Sequence, residues 1–380
     1  MKLLSSFSLI STFIISSLLS PAALAAKTVT DVVGRTVEVP ENVKRIILGE
    51  GRFIPTMAIL EQEQVLDRIT ATVGDYKRMD PDSYQLYLDK FPQLANIPVI
   101  GRSDASTFSV EKAITSGADL AIFGIEGHGP GARNKNIINQ LEAAGIAVIF
   151  IDFRREPLKN TKKSITLLGE VLGKEQQAAQ FNQFYQQEMD KVSAIVNKLK
   201  TPKPTVFIHS RVGLSNECCE TMVDGMLGHL IDFAGGNNIS KPIIPGIAGV
   251  MNYEYLLTNQ PDIYIATAIG SSKSLAKQSP RVALGAAVNQ QQAQQSLKNA
   301  IGVYKLEYLS SIEHGQAYSI WHHFYNTPLH VAAIQQMAKW FYPDDFSQLN
   351  PEATLKTMHE KFLPIAYQGT YWAQLDAVSK

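Results

Sequence analysis

Along the first half of the chain, apolar residues come in short blocks separated by turn formers. Runs at 46–48, 69–73, 98–100, 120–124 and 147–151 are too short for helices and rich in Ile, Val, Phe and Ala, which predicts buried strands. Between them, patterns of helical spacing predict helices over 54–62, 110–115 and 134–144. Strands alternating with helices predict a mainly parallel sheet covered on both faces. The pattern changes at 175–199, which holds no Gly or Pro and carries Phe181, Phe184, Tyr185, Val192, Ile195, Val196 and Leu199 close to helical spacing. That predicts one helix of about 25 residues, roughly 37 Å long at 1.5 Å per residue. Such a length exceeds what one lobe needs and suits a strut between two. Thr201-Pro202-Lys203-Pro204 breaks it. The alternation then restarts, with strands predicted at 205–209, 263–266 and 317–320, a helix over 224–233, and a helix over 328–340 that opens on Pro328 and stops before Pro343.

The chain start has its own pattern. Lys2, an apolar stretch over 3–19 and the small-x-small sequence Ala23-Leu24-Ala25 predict a cleaved secretion signal over 1–25, with a mature chain beginning near Ala26 or Lys27. No Cys lies near that point, so no lipid anchor is expected, and the mature protein is expected free in a periplasm. The expected divisions are an N-terminal α/β lobe over 26–173, an interlobe helix over 174–200 and a C-terminal α/β lobe over 201–380. Without Lys2, 34 basic residues face 35 acidic ones, so no global field draws the protein to nucleic acid or a membrane surface. Any anion site has to be built locally.

The halves also match internally. Residues 110–122 and 253–265 place Glu111 against Glu254, Thr115 against Thr258 and Asp119 against Asp262, each in a short helix, turn and strand. The opening from Thr30 to Pro40, Lys44-Arg45-Ile46-Ile47, the segment from Glu111 to Asp119, the strand 145–150, the long helix, Gly235-Gly236-Asn237-Asn238 and the segment from Glu254 to Asp262 follow in the order of a known family. Over essentially its whole mature length the chain resembles the class III periplasmic binding proteins, which serve ABC importers of iron siderophores, haem and cobalamin. The resemblance implies two α/β lobes joined by a single long helix, a ligand cleft between them, and only a small hinge motion. It implies no catalysis and no resident cofactor. It also implies an inner-membrane permease with its ATPase as partner, docked through a surface Glu on each lobe, here Glu111 and Glu254. A monomer is expected.

In open α/β sheets, ligands sit beyond the carboxyl ends of the strands. Arg52, Arg102, His128, Arg133, Arg154, Arg155 and Arg211 all follow expected strands. Guanidinium groups there suit a multiply anionic, oxygen-rich complex such as a ferric siderophore. A further strand-end loop, Trp321-His322-His323-Phe324-Tyr325, offers Trp321, His322, His323 and Tyr325 for contact with the ligand. His322, His323 or Tyr325 could also complete the coordination of a chelated iron, which keeps haem as an alternative cargo. Cobalamin or a nickel chelate stand behind it. A bare zinc or manganese receptor would need more converging His and carboxylate ligands. A periplasmic hydrolase is the alternative of another class, but the chain holds no G-x-S-x-G, H-E-x-x-H or Walker pattern. Cys218 and Cys219, the only cysteines, are adjacent, and an oxidising compartment favours a bond between them.

Overall fold

Residues 26–215 and 218–376 are described by the computed structural model; the expected secretion signal lies outside them. The chain enters through an antiparallel hairpin, β1 (Ala26–Thr30) and β2 (Thr36–Pro40), paired from Ala26 opposite Pro40 to Thr30 opposite Thr36. Four strands then form a parallel sheet: β3 (Ile46–Leu48), β4 (Ile69–Thr72), β5 (Leu120–Gly124) and β6 (Ala147–Ile151), in the order β4-β3-β5-β6. Every side chain of β3 is buried, as expected of a strand covered on both faces. The expected strand at 98–100 reduces to a single bridge between Val99 and Thr72. Pro98 has no N–H to donate and Val99 is 54 % exposed, so the segment lies at the sheet margin.

The second sheet has seven strands: β7 (Thr205–His209), β8 (Glu220–Met222), β9 (Asn237–Asn238), β10 (Ala248–Val250), β11 (Ile263–Ala268), β12 (Ala317–Trp321) and β13 (Trp372–Leu375). Its order is β10-β8-β7-β11-β12-β13, with β9 beside β7. The pairs β7–β9, β7–β11 and β11–β12 are parallel, whereas β8, β10 and β13 pair antiparallel. The second lobe is therefore more mixed than the sequence pattern suggests. Its antiparallel strands are three or four residues long where they flank the parallel core, too short to show a period.

The long helix runs over Glu175–Val196, 22 residues and about 33 Å. It buries Ala178, Phe181, Tyr185, Met189 and Val192, one residue per turn. The face is tied to the second lobe where the Tyr185 hydroxyl meets His330 Nε2 at 2.7 Å and Gln335 donates to Glu188 at 2.8 Å. It also packs on the Pro157–Leu172 helix of the first lobe. The strut is not the sole joint. The Pro351–Phe362 helix sets Phe362 against Phe181 at 5.1 Å, and the following segment accepts from Lys90 through the Pro364 carbonyl at 2.8 Å. The segment around Phe362–Pro364 thus makes a second joint to the first lobe before the chain re-enters the second sheet as β13. The helix expected over 328–340 occupies His330–Phe341, because Pro328 and Leu329 form the turn before it. No helix among the described residues is long and apolar enough to cross a membrane.

The internal match is structural. Glu111 and Glu254 each stand exposed in the first turn of a six-residue helix, Val110–Thr115 and Tyr253–Thr258. Each helix is capped by a side-chain oxygen, of Ser109 or Asn252, and each closes with a Thr hydroxyl donating to the Glu carbonyl at 3.0 Å. Asp119 then accepts from the Lys44 and Arg45 amides ahead of β3, and Asp262 accepts from the Thr205 amide at the start of β7. The same few residues fasten the same strand pair in both lobes.

Candidate ligand-binding site

The carboxyl ends of β3, β4, β5 and β6 face those of β7, β11 and β12 across a cleft of about 430 Å³. The floor is a buried network of charge. Glu50, just past β3, is 2 % exposed and accepts from Arg52 Nη2 at 3.1 Å, Arg154 Nη2 at 2.9 Å, Asn326 Nδ2 at 2.8 Å and the His128 amide at 3.3 Å. Arg52 Nε donates to Asp75 at 2.8 Å. Tyr325 completes the network, its hydroxyl taking Arg52 Nη1 at 2.9 Å and Arg154 Nη2 at 3.4 Å, with both guanidinium carbons 5.0–5.5 Å from its ring centre. Glu50, Arg52 and Arg154 come from the first lobe; Tyr325 and Asn326 come from the second. The floor is therefore also a weld between lobes.

Two acids balance two guanidinium groups here. Burial alone would raise the Glu50 carboxyl, but Arg154 and Arg52 outweigh it and hold it down to about 2. Burial dominates at Asp75 and pushes it up to about 6 despite Arg52. His128 is pushed down to about 3 by burial and then by Arg52, and burial holds His322 and His323 well below the usual imidazole range. The imidazoles are thus neutral donors and acceptors. Arg52 Nη1 can only donate to His323 Nδ1, so the His323 proton sits on Nε2, which meets the Met79 carbonyl at 3.0 Å. Both nitrogens are occupied, and His323 has no lone pair for a metal. His322 Nδ1 meets the Thr267 hydroxyl at 2.9 Å. Gly127 is required beside this network: its φ is +138°, and a Cβ there would overlap the Arg154 guanidinium.

Above the floor the walls are of another character. Arg78, Arg211 and Arg281 line the cleft and stand apart from Glu50 and Asp75, together with Ser210, Ser271 and Ser274. Met79, Leu214, Met222, Met226 and Ile269 supply apolar surface. Arg211 adopts φ +51°, an uncommon conformation for a side chain of its size, held by its amide bond to Thr267 Oγ1 at 2.7 Å. Its guanidinium rests on Glu220 at 2.8 Å. One edge of the cleft is closed by Asp82 of the first lobe, which accepts from the Ser272 amide at 2.8 Å and hydroxyl at 2.6 Å.

Of the residues singled out from sequence, Arg52, His128, Arg154, Arg211, His322, His323 and Tyr325 are brought together along the cleft. Arg102, Arg133, Arg155 and Trp321 are not among its lining residues. Arg102 and Arg133 are exposed on the loops that follow Val99 and β5. Arg155 reaches the Glu126 carboxylate at 3.8 Å. Trp321 packs into the lobe on Phe324 and Tyr371. Arg78 and Arg281 escaped the sequence reading because they lie six residues past β4 and thirteen past β11, the latter beyond a short intervening helix. The sulfurs of Cys218 and Cys219 are joined, and neither residue lines the cleft.

No family model matches the sequence, and no curated protein matches it either. Solved structures do. A TroA-like periplasmic binding protein, FepB from Veillonella parvula, is 28 % identical, with a TM-score of 0.80 over 92 % of this chain and 99 % of its own. The molybdate periplasmic binding protein MolA of a Haemophilus influenzae ABC transporter shares 15 % identity and a TM-score of 0.65 over 90 % of this chain and 99 % of its own. A periplasmic haem-binding protein from Pseudomonas aeruginosa shares 16 % identity and a TM-score of 0.54 over 80 % and 94 %. The last two speak to fold alone, whereas the first extends to sequence over nearly the full length. With its two lobes, interlobe helix and cleft, the chain has the fold of the TroA-like, class III periplasmic binding proteins and is similar over nearly its full length to one of them; these neighbours are solute-binding components of transporters rather than enzymes.

Proposed function

We propose that the protein captures an anionic ferric siderophore in the interlobe cleft and presents it to an ABC permease from the periplasm. The observation that carries this reading is the division of cations in the cleft. Arg52 and Arg154 are balanced by Glu50 and Asp75, while Arg78, Arg281 and Arg211, the last resting on Glu220, border the space where a ligand would lie. Permanently charged planar donors, hydroxyls and thioether surface suit a chelate with anionic oxygens around a metal and apolar arms outside it. A cleft of about 430 Å³ lies within the range of small-molecule sites. In this reading a secretion signal and no lipid anchor deliver the protein, and Glu111 and Glu254, matched in position and exposed, dock on the permease.

Haem is the second reading, favoured by Tyr325, whose hydroxyl is held between two guanidinium groups as an oxygen ligand would be. Against it, His323 is fully engaged and Tyr325 is 4 % exposed beneath the walls. Intrinsic fluorescence titration against ferric siderophores, haemin and cobalamin separates the readings, since Trp321 stands 5.2 Å from His323. Saturable quenching by a ferric siderophore at one equivalent supports the proposal; a preference for haemin overturns it.

A further inference from the structure

Behind the cleft wall lies a second group of ligand-type side chains that the cleft does not use. His209, the last residue of β7, is 2 % exposed, and Cys219 is fully buried with Cys218 half-buried beside it. One ring nitrogen of His209 and the two sulfurs all lie within 4.8 Å of one another. Two sulfurs bound to one ion at about 2.3 Å cannot be more than about 4.6 Å apart, and a nitrogen at about 2.0 Å stays closer still. With the sulfurs joined they are too close together to share an ion, but the His209 nitrogen already stands within 4.8 Å of both, so breaking the S–S bond and parting the two sulfurs brings all three within reach of one ion.

The surroundings are those of a built site. His209 Nδ1 is 2.9 Å from the Tyr264 hydroxyl, a buried residue that orients the ring and leaves ligation to Nε2. Tyr304 packs edge-on against the imidazole at 5.4 Å. The Cys219 carbonyl accepts from the Met251 amide at 2.9 Å, which fixes the backbone of the pair.

We propose that Cys218, Cys219 and His209 form a redox-gated site for a thiophilic d¹⁰ cation, of the copper(I) or zinc(II) class, separate from the cleft. With the sulfurs joined, the site is shut. A dithiol reductant opens it: its thiolate attacks one sulfur, a mixed disulfide forms, and its second thiol resolves this, leaving two cysteine thiols and the reductant's own disulfide. The cation then displaces the two thiol protons and binds two thiolates and one neutral imidazole, a soft donor set selective for such ions over magnesium or calcium. Occupancy reaches the cleft through two neighbours in sequence. Ser210 follows His209 and lines the cleft, and Glu220 follows Cys219 and holds Arg211.

The test uses purified mature protein, reduced with a phosphine, freed of it under nitrogen, and titrated with cadmium ion. Thiolate-to-metal absorption in the ultraviolet reports binding, and ¹¹³Cd NMR reports the donor set. One cadmium per reduced chain is expected, none for oxidised protein or Cys218→Ser/Cys219→Ser, and at least about tenfold weaker binding by His209→Asn. Should His209→Asn fail to fold, coupling from ¹⁵N-histidine to ¹¹³Cd in the wild type decides the nitrogen ligand. Reduced protein with two titratable thiols that takes up no cadmium, or a bound ion without nitrogen coupling, overturns the proposal. Neither outcome bears on siderophore capture, which the oxidised protein performs.

Discussion

Replacing Glu50 with Gln tests whether the floor charges are structural. The variant keeps the size of the side chain but removes the charge that faces Arg52 and Arg154, both buried and both within 3.1 Å of the same oxygen. Breaking a buried ion pair by neutralising one partner costs about 3–5 kcal/mol, because the remaining charge is left without compensation. For some 355 residues unfolding in one transition, the entropy at the midpoint is about 0.75 kcal/mol per kelvin. The expected fall in Tm is therefore about 4–7 °C by calorimetry. Glu38→Gln, on the exposed side of β2, serves as control and is expected to stay within about 0.5 kcal/mol. The double variant Glu50→Gln/Arg154→Met removes both partners of one pair and is expected to lose less than the sum of the single losses. Strict additivity, or a Glu50→Gln variant as stable as the wild type, would refute the described network.

Three further outcomes follow from the same structure. Glu111→Ala/Glu254→Ala is expected to bind ligand normally in solution yet abolish its uptake by cells lacking the native receptor, since both carboxylates are exposed and outside the cleft; normal uptake would refute the docking role. Non-reducing mass spectrometry of periplasm-purified protein is expected to find Cys218 and Cys219 bonded, and two alkylated thiols would contradict this. Stability is expected to fall as pH drops below about 6.5. Burial pushes His128 and His209 down to about 3, His330 to about 4, and His322, His323 and His359 below the usual imidazole range, so the unfolded chain binds more protons between those values and about 6.5. Asp75 and Asp80, raised by burial to about 6, bind protons first in the folded state and offset part of the loss. At about 1 kcal/mol per group by pH 5.5, six imidazoles against these two carboxyls and the raised Asp31 and Glu61 leave a net loss of roughly 2–4 kcal/mol, readable from urea midpoints at pH 7 and 5.5. A midpoint that rises on acidification would show the carboxyls to dominate.

What the sequence made legible was local or periodic. The strands β5, β6 and β7 and the helix around Glu111 carry their signals within a few residues, through apolar runs, a capping Ser and an Asp before the strand. The long helix was readable because one face stays apolar for six turns. By contrast β8, β10 and β13 are defined by partners far along the chain, and nothing within three or four residues marks them. The same holds at the site. Arg52 and Arg154 were visible as strand-end cations, but their engagement depends on Glu50, Asp75 and Tyr325, which meet only in the fold. Proximity in sequence did not help: Glu50 is two residues from Arg52, yet only the packing of Asn326 and His128 around it reveals a buried hub.

Calorimetric titration of the ferric and iron-free forms of one catecholate or hydroxycarboxylate siderophore, against wild type and against Arg78→Ala, Arg211→Ala and Arg281→Ala, tests the central claim most directly. A charge-assisted hydrogen bond contributes about 1.5–3 kcal/mol, so each variant is expected to lose about 10- to 150-fold in affinity for the ferric form. The wild type is expected to bind the ferric form far more tightly than the iron-free one. Equal affinity for the two forms, or three variants that bind like the wild type, would contradict the account.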